Sequence, residues 1–291
     1  MEERISFERF LFGDGKSIVI NDIEFFIDRI FVLPKFQPHK LEKAVSLSVE
    51  YCQNPDFRRK FLEKSNECPV LIYQLFKRGI FEFENIEPFL HSRDTFILCC
   101  YFRKEINNFG NFVRSKQIPY DFDESLLGNS NDIDQLVEYG FINSSLEYCL
   151  KYDVIDDLPK FDNLNHEAKW SPFEWSLRPQ YLNLLSFAGY FGSIKCFKQL
   201  LLKGFEINKK VMSMVVCGGC FDLFHLCRGS TQFSIDNVCR AAEFCQLSLL
   251  VFMKENGTDI IAKAKYEFNL FLMRLLFILL LGRVILVLLN I

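Results

Sequence analysis

The sequence predicts an all-α protein, with a helical N-terminal region followed by a short stack of helical hairpins. Three observations predict it. Within LLSFAGYFGSIKCFKQLLLKGFEIN (184–208), Ile194, Phe197, Leu200 and Leu201 recur at the period of an amphipathic helix. Gly192 precedes that helix and Gly204 follows its last apolar residue, where a residue with positive φ ends a helix at low cost. The pattern then returns further along the chain, which is the mark of a repeat too small to bury its own apolar face.

Bulk properties agree. The chain has 291 residues, 49% hydrophobic and 24% charged, enough for about two domains with a sizeable core. Thirty-three phenylalanines against nine prolines and fourteen glycines favour packed helices over linkers. The net charge of −3, with both signs interspersed, excludes the basic stripe of a nucleic-acid footprint. Eleven irregularly spaced cysteines behind the charged start MEERISFERF predict free thiols, no signal peptide and a cytoplasmic location.

Upstream elements echo the hairpin. LIYQLFKRGIFEF (71–83) predicts a helix stopping at Gly79. QLVEYGFIN (135–143) resembles QLLLKGFEIN (199–208) with a one-residue gap at Glu206, and LEYCLKYDVIDDL (146–158) then has a short-helix, turn, helix rhythm. The polar run DNLNHEAK (162–169) reads as a boundary between an N-terminal region to 165 and repeats over 166–262. SPFEW (171–175) predicts a helix start, with Ser171 as N-cap, Pro172 in the first turn and Glu174 completing a capping box. After 184–208, VVCGGCFDLFHLC (215–227) repeats the pattern at an offset of 27, placing Gly192 on Gly219 and Phe197 on Phe224. AAEFCQLSLLVFMKENGTDI (241–260) repeats it at 53, placing Ala188 on Ala241 and Gly204 on Gly257.

These residues carry a resemblance. NLLSFAGYFGSIKCFKQLLLKGFEIN (183–208) resembles one ankyrin repeat, with Leu185, Ala188, Gly192, Lys198, Leu200, Leu201, Gly204, Ile207 and Asn208 on or near matching positions. Asn183-Leu184 replaces the family's Thr-Pro, Ser186 replaces its His, and the later units are shorter than its repeat. CPVLIYQLF, SPFEWSLRP, FGSIKCFK and GGCFDLFHLC are similar to the divergent ankyrin-repeat proteins that parasitic protists carry in large families, over about residues 65–262. The resemblance implies a non-catalytic scaffold that binds another protein through inter-unit loops and exposed hairpin faces. Mapped here, the binding residues would be Tyr190, Phe191, Phe205, Glu206, Lys209 and Lys210.

Catalytic, cofactor and metal sites are not expected. LFGDGKS (11–17) contains Gly-Lys-Ser, but Phe10 stands where a phosphate loop needs its first glycine, so a tight turn is the simpler reading. Cys217, Cys220 and His225 reproduce three ligands of a zinc-knuckle spacing, yet Ser230 occupies the fourth place. None of His39, His91, His166 and His225 lies four residues from another, and no Gly-x-Ser-x-Gly elbow exists. The pairs Asp121/Asp123 and Asp156/Asp157 read as caps and solvated faces.

The end of the chain departs from the pattern. Residues 270–289 are apolar except Arg274, Gly282 and Arg283. At about −0.4 kcal/mol per apolar residue against about +2.5 to +3.5 per arginine, insertion of this run into a membrane is near neutral. A C-terminal anchor, making the protein a membrane-attached adaptor, is therefore the alternative to a soluble scaffold. A third reading is a frame change after Phe268 that truncates a longer array: one coding of Pro-Leu-Ser-Tyr-Ala-Ala, read one base later, gives the Leu-Phe-Leu-Met-Arg-Leu found at 270–275. The region 263–291 is accordingly set apart from the repeats.

Overall fold

The computed structural model describes residues 23–119, 122–161, 164, 167–178, 183–230, 234–244 and 246–256. Among them the protein is all-α. No strand forms, apart from one isolated antiparallel bridge between Glu167 and Asn183. The Gly-Lys-Ser run at 11–17, Gly257 and the tail 263–291 lie outside the described residues.

The chain divides into two units that interleave in sequence. The first contains residues 23–149 and 168–178; the second contains 150–161, 164, 167 and the described residues from 183 onward. The expected boundary run 162–169 contains one of the three crossings, between Glu167 and Ala168, and residues 162, 163, 165 and 166 are not described.

In the first unit the helices are α1 (Ile23–Phe36), α2 (Leu41–Tyr51), α3 (Pro55–Glu63), α4 (Pro69–Lys77), α5 (Phe83–Ile86), α6 (Phe96–Tyr101), α7 (Phe109–Val113) and α8 (Ser130–Tyr139). Local sequence sets several ends. Asn54 accepts from the amides of Asp56 (2.9 Å) and Phe57 (3.2 Å) with Pro55 opening α3, and Asn129 accepts from Asn131 to start α8. α2 packs on α4, α4 on α6 and α6 on α8, so alternate elements form a row. The phenylalanines fill it: Phe61 lies 4.7 Å from Phe31 and 5.5 Å from Phe57 between ring centroids, and all three are buried.

SPFEW does not start a helix. Residues 171–178 are irregular apart from a turn at 172–173 and a bend at 176: the Phe173 amide donates to Ser171 Oγ (3.1 Å), while Glu174 points forward to accept from both the amide and hydroxyl of Ser176. The segment instead serves the first unit's core. Phe173 is buried 6.0 Å from both Tyr101 and Phe122, and the Leu177 amide donates to Lys35 O (2.8 Å). Those tertiary bonds outweigh the local capping preference, and Pro179 disfavours helical backbone at the preceding residue.

Helix α9 (Leu146–Tyr152) is shared: through Cys149 it belongs to the first unit, and from Leu150 to the second. The second unit continues with three helical hairpins, α10 (Leu184–Phe191) with α11 (Ile194–Leu202), α12 (Lys209–Gly218) with α13 (Phe221–Arg228), and α14 (Ile235–Glu243) with α15 (Leu247–Glu255). The first helices of the hairpins pack in a row, α10 on α12 and α12 on α14. Each of these opens on a short polar side chain: Asn183 accepts from Ser186 N (2.7 Å), Asn208 from Lys210 N and Val211 N, and Ser234 from Asn237 N in a capping box. α10 and α12 approach closely because glycines line the contact. A Cβ on Gly218 would lie 2.3 Å from Tyr190 O, and one on Gly189 2.7 Å from Val215 Cγ2.

The turn inside each of the first two hairpins is left-handed, at Gly192 (φ 72°) and Gly219 (φ 73°), as the sequence pattern predicts. The same residues touch the next hairpin where its second helix begins. A Cβ on Gly192 would sit 3.4 Å from Cys220 Cβ, just before α13, and one on Gly219 would overlap Gln246, just before α15. Asp153 completes the series. It has φ 57°, ends α9, and its carboxylate accepts from Lys195 N (3.1 Å) and Cys196 N (2.8 Å) in the first turn of α11. Ser193, the residue before α11, donates its hydroxyl to Leu150 O.

Candidate interaction surface

The expected binding residues do not share one environment. Tyr190 is only 4% exposed, set edge-on against Phe191 and Phe244 inside the hairpin row, and is not available to a partner. Phe191 is half-buried at the end of α10, 4.9 Å from Phe187 and with the Lys151 ammonium 5.7 Å from its ring centre. Both aromatics are used chiefly by the stack itself.

The turn after α11 is different. Gly204 adopts φ 93°, and the Phe205 amide returns to Leu200 O (3.2 Å), which satisfies a carbonyl at the end of the helix. Phe205 is half-buried, while Glu206, Lys209 and Lys210 are exposed. The two lysines occupy the first two positions of α12, the positive end of that helix.

A neighbouring residue is not marked by the sequence pattern. Leu202 is 82% exposed, the most exposed large apolar side chain among the described residues. In α11 the buried side chains are Cys196, Phe197 and Leu200, and Lys195, Lys198 and Leu202 recur at helical spacing on the opposite, exposed side. The signal that could have found it is the run Leu200-Leu201-Leu202: three consecutive helical positions spread over about 200° of the helix surface, wider than the buried stripe, so one must leave the core.

The groups considered for chemistry are dispersed. Cys217 is buried in α12 and burial pushes its thiol well above the ordinary range, whereas Cys220 lies half-buried just before α13. His225 is exposed and rests on the Phe221, Phe224 and Phe252 rings, its centroid 5.1 Å from the last. His91 lies against Phe112, and nothing is described for the side chains of His39 and His166. Asp123 accepts from the amide and hydroxyl of Ser125, and Asp157 pairs with Lys160; Asp121 is outside the described residues. Among the described residues no three His, Cys, Asp or Glu side chains gather as a metal-holding group, and no helix is long and apolar enough to cross a membrane. No protein-family model matches the chain, and no match to it is found among curated proteins or solved structures.

Proposed function

We propose that the protein is a non-catalytic scaffold that binds another protein, and that its second unit is a short stack of degenerate ankyrin-type hairpins. One observation carries this reading: the left-handed residue closing the first helix of a unit meets the start of the second helix of the next unit three times over. The pairs are Asp153 with Lys195 and Cys196, Gly192 with Cys220, and Gly219 with Gln246. A junction repeated in register is what a stack of equivalent units requires, since each buries its apolar face only against neighbours. By this register α9 is the first helix of a further unit, separated from α10 by the segment that returns to the first unit. Such a stack recognises partners by surface, and the turn with half-buried Phe205 and exposed Glu206, Lys209 and Lys210 supplies one.

The non-catalytic part rests on the dispersal of nucleophiles and bases. Burial pushes the Cys52 and Cys227 thiols up to about 12, which leaves them protonated and unreactive at neutral pH. The test is comparative capture from a cytoplasmic extract with the wild-type chain and with Phe205→Ala/Lys209→Glu/Lys210→Glu. A protein retained by the wild type and lost by a variant of unchanged helicity supports the reading; identical retention by both counts against this surface. The apolar run at 270–289 favours a second reading, a membrane-attached adaptor. Carbonate extraction separates them, since an anchored chain stays with the membranes.

A further inference from the structure

We propose that the exposed side of α11, continued by the first turn of α12, docks an acidic segment of another protein that carries an apolar side chain among its carboxylates. This rests on the scaffold reading and names the class of partner. Between Ile194 and Lys210 five lysines stand against one acidic residue, Glu206, in a chain whose acidic residues outnumber its basic ones, 37 to 34. Lys195, Lys198, Lys203 and Lys209 are exposed, and none has an acidic partner among the described residues. The contrast with the first unit is direct: there Lys60, Lys64, Lys77, Arg59, Arg78 and Arg103 are all paired with carboxylates. The carboxylate that does meet α11, that of Asp153, is already engaged by backbone amides of its first turn.

Two further observations select the chemistry. Leu202 lies at 82% exposure between Lys198 and Lys203 along the helix, an apolar point within a cationic field. Lys209 adds like charge to the positive end of α12, an arrangement that disfavours the free helix and that an approaching carboxylate relieves. A peptide with carboxylates flanking a leucine meets both features, with pairing to the lysines supplying attraction and specificity and Leu202 supplying burial.

The experiment uses the full chain and immobilised synthetic peptides in three sets: Glu/Asp-rich with one leucine, the same peptides with serine replacing leucine, and Lys-rich with leucine. The expected result at about 0.1 M salt is retention by the first set, several-fold weaker retention by the second and none by the third. Lys195→Glu/Lys198→Glu/Lys203→Glu should lower retention about tenfold or more, because three exposed pairs become repulsions. Leu202→Ser, at a position that touches little, should lower it several-fold with unchanged thermal melting. Raising salt from about 0.1 to about 1 M shortens the screening length from about 10 Å to about 3 Å and should weaken retention further.

The proposal is overturned if no acidic set retains the wild-type chain, if Lys-rich peptides bind as well, or if retention is indifferent to salt. It is also overturned if phosphatidylcholine/phosphatidylserine vesicles bind more tightly than any peptide, or if the chain forms a dimer through this face that acidic peptides do not compete. The salt series and Leu202→Ser decide the matter even if the triple variant unfolds. If the Lys209/Lys210 variants lose a captured protein while the α11 variants keep it, this inference fails and the scaffold reading survives.

Discussion

Replacing Asp153 tests the repeated junction at its most polar point. Its carboxylate bridges two amides in the first turn of α11, where the helix itself offers no acceptor. Lys195 N lies at 3.1 Å and Cys196 N at 2.8 Å, while the backbone of Asp153 sits at φ 57°. Removing a capping acceptor costs about 1 kcal/mol, up to about 2. Losing the negative charge beside a helix N-terminus adds about 0.3–1 kcal/mol. Alanine in a left-handed conformation adds roughly 1–2 kcal/mol that aspartate and asparagine largely escape. Asp153→Ala should therefore destabilise the second unit by about 2–5 kcal/mol. Asp153→Gly removes the cap and the charge but suits the left-handed backbone, and should cost about 1–3 kcal/mol. Asp153→Asn keeps one acceptor and the turn, and should cost less than about 1 kcal/mol. Hydrogen exchange of the α11 amides gives the local opening free energy, and urea unfolding gives the global one. The order Asn, then Gly, then Ala is the signature. If alanine proves no worse than asparagine, or if only helices of the first unit lose protection, then Asp153 does not cap α11 and the register built on it fails.

Two glycines should respond in opposite directions. Gly218→Ala places a methyl group 2.3 Å from the Tyr190 carbonyl and should cost about 1–3 kcal/mol, whereas Gly110→Ala in α7 meets nothing within 4 Å and should gain about 0.5–1 kcal/mol; urea midpoints compare them. Burial pushes Cys68 up to about 11 and Cys52 and Cys227 up to about 12, while unfolded thiols ionise near about 8.5. Unfolding then releases protons in alkali, so this stability is complete below about pH 8.5 and is lost as pH rises toward the folded values. Thiolate absorbance in the far ultraviolet should appear together with loss of helix; its appearance with the helix intact would contradict the burial. Although burial opposes it, pairing with Arg103 (2.6 Å) and Lys104 (3.2 Å) holds the Asp134 carboxyl below its usual range. Its contribution is present above the ordinary carboxylate pKa and disappears as pH falls through the lowered one, so Asp134→Asn should flatten the acid limb of a stability profile.

The helices and their stops are legible in the sequence because they depend on local chemistry. Gly192, Gly204 and Gly219 all adopt the left-handed backbone their positions imply, and the buried faces follow the apolar period. Asn183 departs from a family pattern and Asn208 matches one, yet the two do one job as N-caps. SPFEW misleads for the reverse reason, since a complete capping signature is overruled by the Leu177–Lys35 backbone bond and by burial of Phe173. Tyr190 carries no local mark of burial; Phe244 lies against its ring from a distant part of the chain. Leu202 and Asp153 are hidden because exposure and a cap supplied from about forty residues away are properties of assembly, not of sequence neighbours.

The interleaving of the two units sets an order in time. The first unit lacks Phe173 and the Leu177–Lys35 bond until residues 168–178 have been synthesised, and those come after the opening segment of the second unit, 150–161. At about 5–20 residues per second, the roughly thirty residues beyond 149 take about 1.5–6 s to emerge. During that interval the Tyr101 and Phe122 rings of the nascent first unit lack the Phe173 ring that packs beside both. Ribosome-arrest profiling should show its main folding event only after Arg178 has left the ribosome. A fragment ending at 149 should leave those two rings uncovered and be retained by chaperones.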